Sequence, residues 1–128
     1  MEAEKLLHQI AQIIFDKKGF NILALELSPL STMGDCLIIA EGFVGRHLSA
    51  IAFNITDELK KRGVALIKTE ESDSWIVLDY GQIMVHLFLP QTRERYQLEK
   101  LWSNGRVVPL EIDVNLASDT EASTVESV

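Results

Sequence analysis

Between Glu2 and Lys18 the apolar positions recur every three or four residues. Leu6, Ile10, Ile13 and Ile14 fall on one side, and the stem of Lys17 continues it. That spacing predicts a helix over 2–18, with Gly19 at its stop. Asn21 to Leu27 (NILALEL) predicts a strand, and Ser28-Pro29-Leu30-Ser31 a connection. Asp35 to Glu41 (DCLIIAE) predicts a second strand, whose unbroken apolar centre calls for cover on both faces. A helix follows from Gly45 to Arg62: Leu48, Ile51, Ala52, Ile55 and Leu59 form its stripe, and its charges lie mostly opposite. Basic residues in its last turn and Gly63 beyond suit a helix C-terminus. Val64 to Thr69 (VALIKT) predicts a strand, followed by the polar turn Glu70-Glu71-Ser72-Asp73.

The run from Trp75 to Trp102 reads as a β-hairpin feeding a helix. A two-residue turn at Tyr80-Gly81, with Gly relieving positive φ, sets Asp79 against Gln82 and Trp75 against His86. Side chains alternate along a strand. One face therefore holds Ile76, Leu78, Ile83, Val85 and Leu87, and the other holds Trp75, Val77, Asp79, Gln82, Met84, His86 and Phe88. The aliphatic face needs a core, whereas the mixed face suits contact with another molecule. Tyr80, beside a carboxylate at the tip, suits a contact point if exposed, since Tyr and Trp dominate such sites; folding onto its own sheet is the competing reading. Pro90 then leads to a helix around Thr92 to Trp102, with Tyr96, Leu98, Leu101 and Trp102 as its apolar members.

The order of elements predicts an α/β fold leaning to α+β: a single domain with a mixed sheet of about five strands flanked by helices. Residues 1–110 form the expected domain, and 111–128 an acidic, disordered tail. Charge supports that division. The chain carries −7, of which Glu111, Asp113, Asp119, Glu121 and Glu126 contribute −5, so residues 1–110 carry only −2. No Lys/Arg cluster stands out along the chain, which argues against nucleic acid as the primary, sequence-specific ligand. No run approaches the roughly 20 apolar residues that span a bilayer, so no membrane partner is expected. The single cysteine, Cys36, lies in an apolar strand as a small hydrophobe. A reducing cytoplasm is the expected compartment.

Catalytic patterns are largely missing. There is neither GxxxxGK[ST] nor GxGxxG; the glycines of Glu41-Gly-Phe-Val-Gly-Arg-His47 read as a structural turn, the alternative being a helix N-terminus that offers backbone N–H groups to an anion beside Arg46. His8, His47 and His86 are far apart, without metal-ligand spacing. Glu26 and Asp35 on neighbouring strands could approach each other as a Mg²⁺-binding pair for nucleotidyl transfer. Yet no D-x-D or D-x-E pair occurs there, and the following turn lacks a Ser beside its Gly. No catalytic residue, metal site or cofactor is therefore assigned.

Trp75-Ile-Val-Leu-Asp79-Tyr-Gly81-Gln-Ile-Met-Val-His86, followed by Arg93 and Tyr96-Gln-Leu-Glu99-Lys-Leu-Trp102, resembles the signature of the ribosomal silencing factor (Iojap) family. Asp35-Cys-Leu-Ile-Ile-Ala with Arg46-His47 resembles its first block, and the likeness runs over about residues 3 to 103. The resemblance implies a nucleotidyltransferase-like fold without enzyme activity. It also implies binding to the large ribosomal subunit through ribosomal protein L-fourteen, which blocks small-subunit joining and lowers translation when nutrients are scarce. Organellar relatives act in large-subunit assembly. Two positions depart from the pattern: Glu41-Gly-Phe-Val-Gly45 replaces a hydroxyl-rich turn, and Gln82 stands where an acid is common.

On this reading the contact residues are Trp75, Asp79, Tyr80, Gln82, Met84 and His86, with Glu70 and Glu71 facing Lys or Arg of a basic protein partner. The alternatives are an assembly factor, a divergent Mg²⁺-dependent nucleotidyltransferase, and a homodimer that uses the mixed face for self-contact.

Overall fold

A computed structural model describes residues 2–27, 35–97, 100, 105–110 and 112–113. The elements in chain order are α1 (Glu2–Asp16), β1 (Phe20–Glu26), β2 (Cys36–Glu41), α2 (Gly45–Lys61), β3 (Lys68–Glu71), β4 (Trp75–Asp79), β5 (Ile83–Phe88), α3 (Pro90–Tyr96) and β6 (Arg106–Val107). The strands make one mixed sheet in the order β3-β4-β5-β2-β1-β6. Only β2 and β5 run parallel. The α/β expectation leaning to α+β holds, with six strands in place of about five. The connection at Ser28–Ser31, the apolar residues Leu98, Leu101 and Trp102, and the tail from residue 114 lie outside the described residues.

α1 and α2 cover one face of the sheet. Leu7, Ile10 and Ile14 from α1 meet Leu48, Ile51, Ile55 and Leu59 from α2 over Ile38, Ile83, Val85 and Leu87. The α1 stripe is centred on Leu7, not Leu6; Leu6 and Ile13 sit half-buried at its flank. On the other face Leu25, Leu27, Leu37, Ile39 and Phe88 form a smaller core, with Leu23, Trp75 and Met84 packed beside it. Every residue of β2 is buried, as its unbroken apolar run requires.

Two sequence expectations shift. The strand predicted at Val64–Thr69 lies instead at Lys68–Glu71. Val64 donates its N–H to the Leu59 carbonyl at 2.9 Å, so the apolar VAL segment closes α2 instead of pairing with β4. The hairpin turn falls at Gly81-Gln82, because Tyr80, just past the end of β4, donates its N–H to Ile83 O at 2.9 Å and closes the hairpin there. Gly81 takes φ +86°, and the Asp79 carboxylate accepts its N–H at 2.8 Å. Asp79 therefore faces Met84, and Trp75 faces Phe88. Each partner moves by two residues, and a two-residue slip preserves side-chain parity. The two faces survive the change of register.

Candidate functional site

The outer face of β4 and β5 presents Trp75, Val77, Asp79 and Met84, all half-buried, above the small second core. Trp75 is held from several sides. Its indole N–H donates to Nδ1 of His86 at 3.1 Å, across the diagonal of the strand pair. Its ring centroid lies 4.8 Å from Phe88 and 5.0 Å from Tyr96. Arg95 sits 5.7 Å from the Tyr96 ring centre, within cation–π range. The result is an aromatic side chain fixed in one orientation yet still partly open to solvent.

His86 is 4% exposed, so it supports this surface from beneath. Burial pushes its imidazole down to about 4 from the ordinary 6.5. The folded state thus keeps His86 neutral, which its acceptor role towards Trp75 also requires. Between about pH 6.5 and 4 the unfolded chain binds a proton that the folded chain refuses, so stability falls as pH falls. At about 1.4 kcal/mol per pH unit, the loss across that window is roughly 3 kcal/mol. Urea unfolding at a series of pH values should show this slope, and His86→Gln should flatten it. Equal slopes in both proteins would remove His86 as the cause.

The structure brings some predicted residues together and separates others. By register, Glu70 is opposite Val77 and shares the outer face, while Glu71 is opposite Ile76 and turns to the other side of the exposed edge strand. A shallow depression of about 190 Å³ is lined by Glu70, Glu71, Ser72, Trp75 and Val77. Gln82 is exposed at the turn, and its carbonyl accepts the N–H groups of Asp35 and Cys36, both at 2.9 Å, tying the hairpin tip to β2. Tyr80 is the clear correction: it shares parity with Ile76 and Leu78 and is only 7% exposed within the helix-side core. Its hydroxyl has no hydrogen-bond partner among the described residues, and burial raises its pKa to about 12. It cannot serve as an exposed contact beside Trp75.

A network around the buried carboxylate of Glu41 escaped the sequence reading. Arg93 on α3 pairs with Glu41 Oε2 at 3.1 Å and also donates to the Asn21 carbonyl. The Asn21 side chain donates to Glu41 Oε1 at 3.2 Å. Asn21 adopts φ +51° where the β1–β2 register is interrupted. A carboxylate ending a wholly apolar strand was the available signal, since a buried charge needs a partner.

Glu26 lies opposite Cys36 and is engaged by Arg106 at 2.8 Å, whereas Asp35 precedes the strand. Among the described residues no group of His, Cys, Asp and Glu is placed to hold a metal ion. No helix among them is long and apolar enough to cross a membrane.

The model of the family RsfS, ribosomal silencing factor during starvation, matches residues 1–127. The chain belongs to that family. The match extends past the 3–103 span of the sequence resemblance and into the acidic tail. Ribosomal silencing factor RsfS of Bacillus subtilis is 32% identical over 117 residues, covering 90% of this chain and 99% of its own length. A mouse protein named mitochondrial assembly of ribosomal large subunit protein 1 is 31% identical over 99 residues, covering 73% of this chain and 43% of its own length. A crystal structure of a Chromobacterium violaceum protein superposes with a TM-score of 0.76 at 30% identity, covering 88% of this chain and 95% of the other. RsfS membership and the fold thus agree; the Bacillus relative is named for ribosomal silencing and the mouse relative for assembly of the large ribosomal subunit.

Proposed function

We propose that this protein is a cytoplasmic translational repressor that binds the large ribosomal subunit through ribosomal protein L-fourteen and blocks joining of the small subunit. By occupying that site it lowers translation under nutrient limitation. Membership of the ribosomal silencing factor family supports this reading, and the fixed but accessible Trp75 on the outer face is the observation that carries it. Val77 and Met84 extend the apolar contact, and Glu70 and Asp79 offer charge to Lys or Arg on the partner. Gln82 and Glu71 border the patch. Tyr80 and His86 act from within, by holding the hairpin. No reaction is needed, because obstruction suffices.

Co-sedimentation with separated large subunits tests the proposal. The double substitution Glu70→Lys/Glu71→Lys, on an exposed edge strand, should leave folding intact. It is expected to weaken binding roughly tenfold, about 1.4 kcal/mol, with most of the loss at low salt. Undiminished binding at every salt concentration would remove this edge from the interface. A second reading, a role in large-subunit assembly, draws on the name of the mouse relative. Under that reading, deletion would leave immature large-subunit particles even in well-fed cells. Self-association through the same face would appear as a dimer in sedimentation, lost in Trp75→Ala.

A further inference from the structure

The depression beside Trp75 is small. Glu70, Glu71, Ser72, Trp75 and Val77 line a space of about 190 Å³, below the range that holds a drug-sized molecule. It has room for one long side chain. Glu70 stands directly opposite Val77, and Trp75 lies two residues from Val77 on the same strand. Carboxylate, isopropyl group and indole therefore share one face. The walls are fixed before anything enters. The N–H and hydroxyl of Ser72 both donate to the Trp75 carbonyl, at 3.0 and 3.2 Å, and Ser74 N–H donates to Ser72 Oγ at 3.4 Å. His86 and Phe88 hold the indole from the neighbouring strand. Among the described residues the Glu70 carboxylate pairs with Lys68 alone, at 3.2 Å, and both side chains are largely exposed. Such a surface pair is weak and exchangeable, and Asp79, opposite Lys68, offers that ammonium a second carboxylate on the same face. Glu71 also lines a neighbouring depression with Arg46 and Asp73. Its register turns its carboxylate that way, so Glu70 is the acid that faces Trp75.

We propose that this depression takes one arginine side chain of the protein partner, its guanidinium lying against the Trp75 indole and paired through two N–H groups with the Glu70 carboxylate. The proposal rests on the outer face being the contact surface, and it adds which side chain that face reads. A guanidinium is flat and always charged, and its fork of N–H donors matches a carboxylate. It is also more weakly hydrated than an ammonium, so less is lost when it stacks on an indole. Its carbon stem has Val77 to lie against. A lysine offers Glu70 a point charge but uses the ring less well. An apolar side chain would strip water from the Glu70–Lys68 pair and give no hydrogen bond in return. An acidic one would meet Glu70 as a like charge. The chain's own Arg95 is engaged with the Tyr96 ring and does not line the depression.

NMR titration of the full chain with capped pentapeptides is the test, each with a central arginine, lysine or citrulline flanked by glycine and serine. The readout is the indole N–H of Trp75, identified by its absence in Trp75→Phe. The arginine peptide should shift that resonance saturably, and the lysine peptide should bind roughly threefold more weakly. Citrulline has the shape without the charge and should not bind. Glu70→Gln, on the exposed edge strand, should weaken the arginine peptide roughly fivefold, whereas Glu71→Gln should change it little. No shift with the arginine peptide, equal binding of all three peptides, or binding indifferent to Glu70→Gln would overturn the proposal. Co-sedimentation reads the wider function separately. Large subunits bound equally by the unsubstituted chain and by Glu70→Gln would leave the outer face as the docking surface and remove the arginine. Peptides that behave as expected, with no large-subunit binding, would uphold the arginine pocket and remove the ribosome as its partner.

Discussion

Trp75→Ala is expected to weaken binding to the large ribosomal subunit by roughly thirtyfold or more, about 2 kcal/mol, the scale of an interface hot spot. The reason lies in how the side chain is prepared. The hydrogen bond to His86 and the rings of Phe88 and Tyr96 fix the indole before any partner arrives. Little side-chain entropy is then lost on binding. Removing the ring also empties part of the outer-face packing, so a thermal melt must accompany the binding assay. If the alanine variant melts well below the unsubstituted protein, Val77→Arg probes the same face: Val77 is half-buried, and its replacement sets a like charge against a basic partner. Full binding by a folded Val77→Arg would place the interface elsewhere.

Arg93→Ala is expected to lower stability by roughly 1–3 kcal/mol, below the scale of a fully buried ion pair because the Asn21 amide still donates to Glu41. The Arg93 and Glu41 side chains retain only 11% and 9% of their accessible surface, so neither charge is well hydrated. Loss of the guanidinium leaves the carboxylate with the Asn21 amide but no countercharge, and also withdraws a donor from the Asn21 carbonyl. Against a typical domain stability of about 5–15 kcal/mol, a loss of that size is a substantial share. Urea unfolding gives the value. The double variant Arg93→Ala/Glu41→Gln should recover part of the loss, because no unpaired buried charge remains. Additive losses in the two single variants and the double would mean that the pair is not coupled.

Much of the architecture was legible because it follows from local periodicity. The α2 stripe at Leu48, Ile51, Ala52, Ile55 and Leu59 is the buried face observed. The β2 run signalled burial on both sides. In α1, adjacent Leu6 and Leu7 left the centre of the stripe open, and packing over the sheet chose Leu7. The β3 strand moved because Val64 ends a helix through a hydrogen bond to Leu59, a choice the apolar composition of VALI does not reveal.

The candidate site was legible by face but not by depth. Alternation placed Trp75, Val77, Asp79, Met84 and His86 together, and that grouping outlasted the change in register. It could not tell that His86 would be sealed, or that Tyr80, just past the end of β4, would turn towards the helices. The latter hinges on one hydrogen bond, Tyr80 N–H to Ile83 O. Nor could it join Phe20 to Phe43, or His47 to the Lys17 carbonyl, contacts made only when β1 pairs with β2 and α2 meets the end of α1.

By itself the sequence determined which residues would be helix or strand over most of the described chain, the two faces of the hairpin, and, through its motif, the family. Only the tertiary structure decided the order of the six strands, the hairpin register, the Asn21–Glu41–Arg93 network and the burial of Tyr80. The division has a physical cause. Side-chain periodicity is a property of a few consecutive residues, whereas burial and ion pairing depend on which distant segments finally meet and exclude water between them.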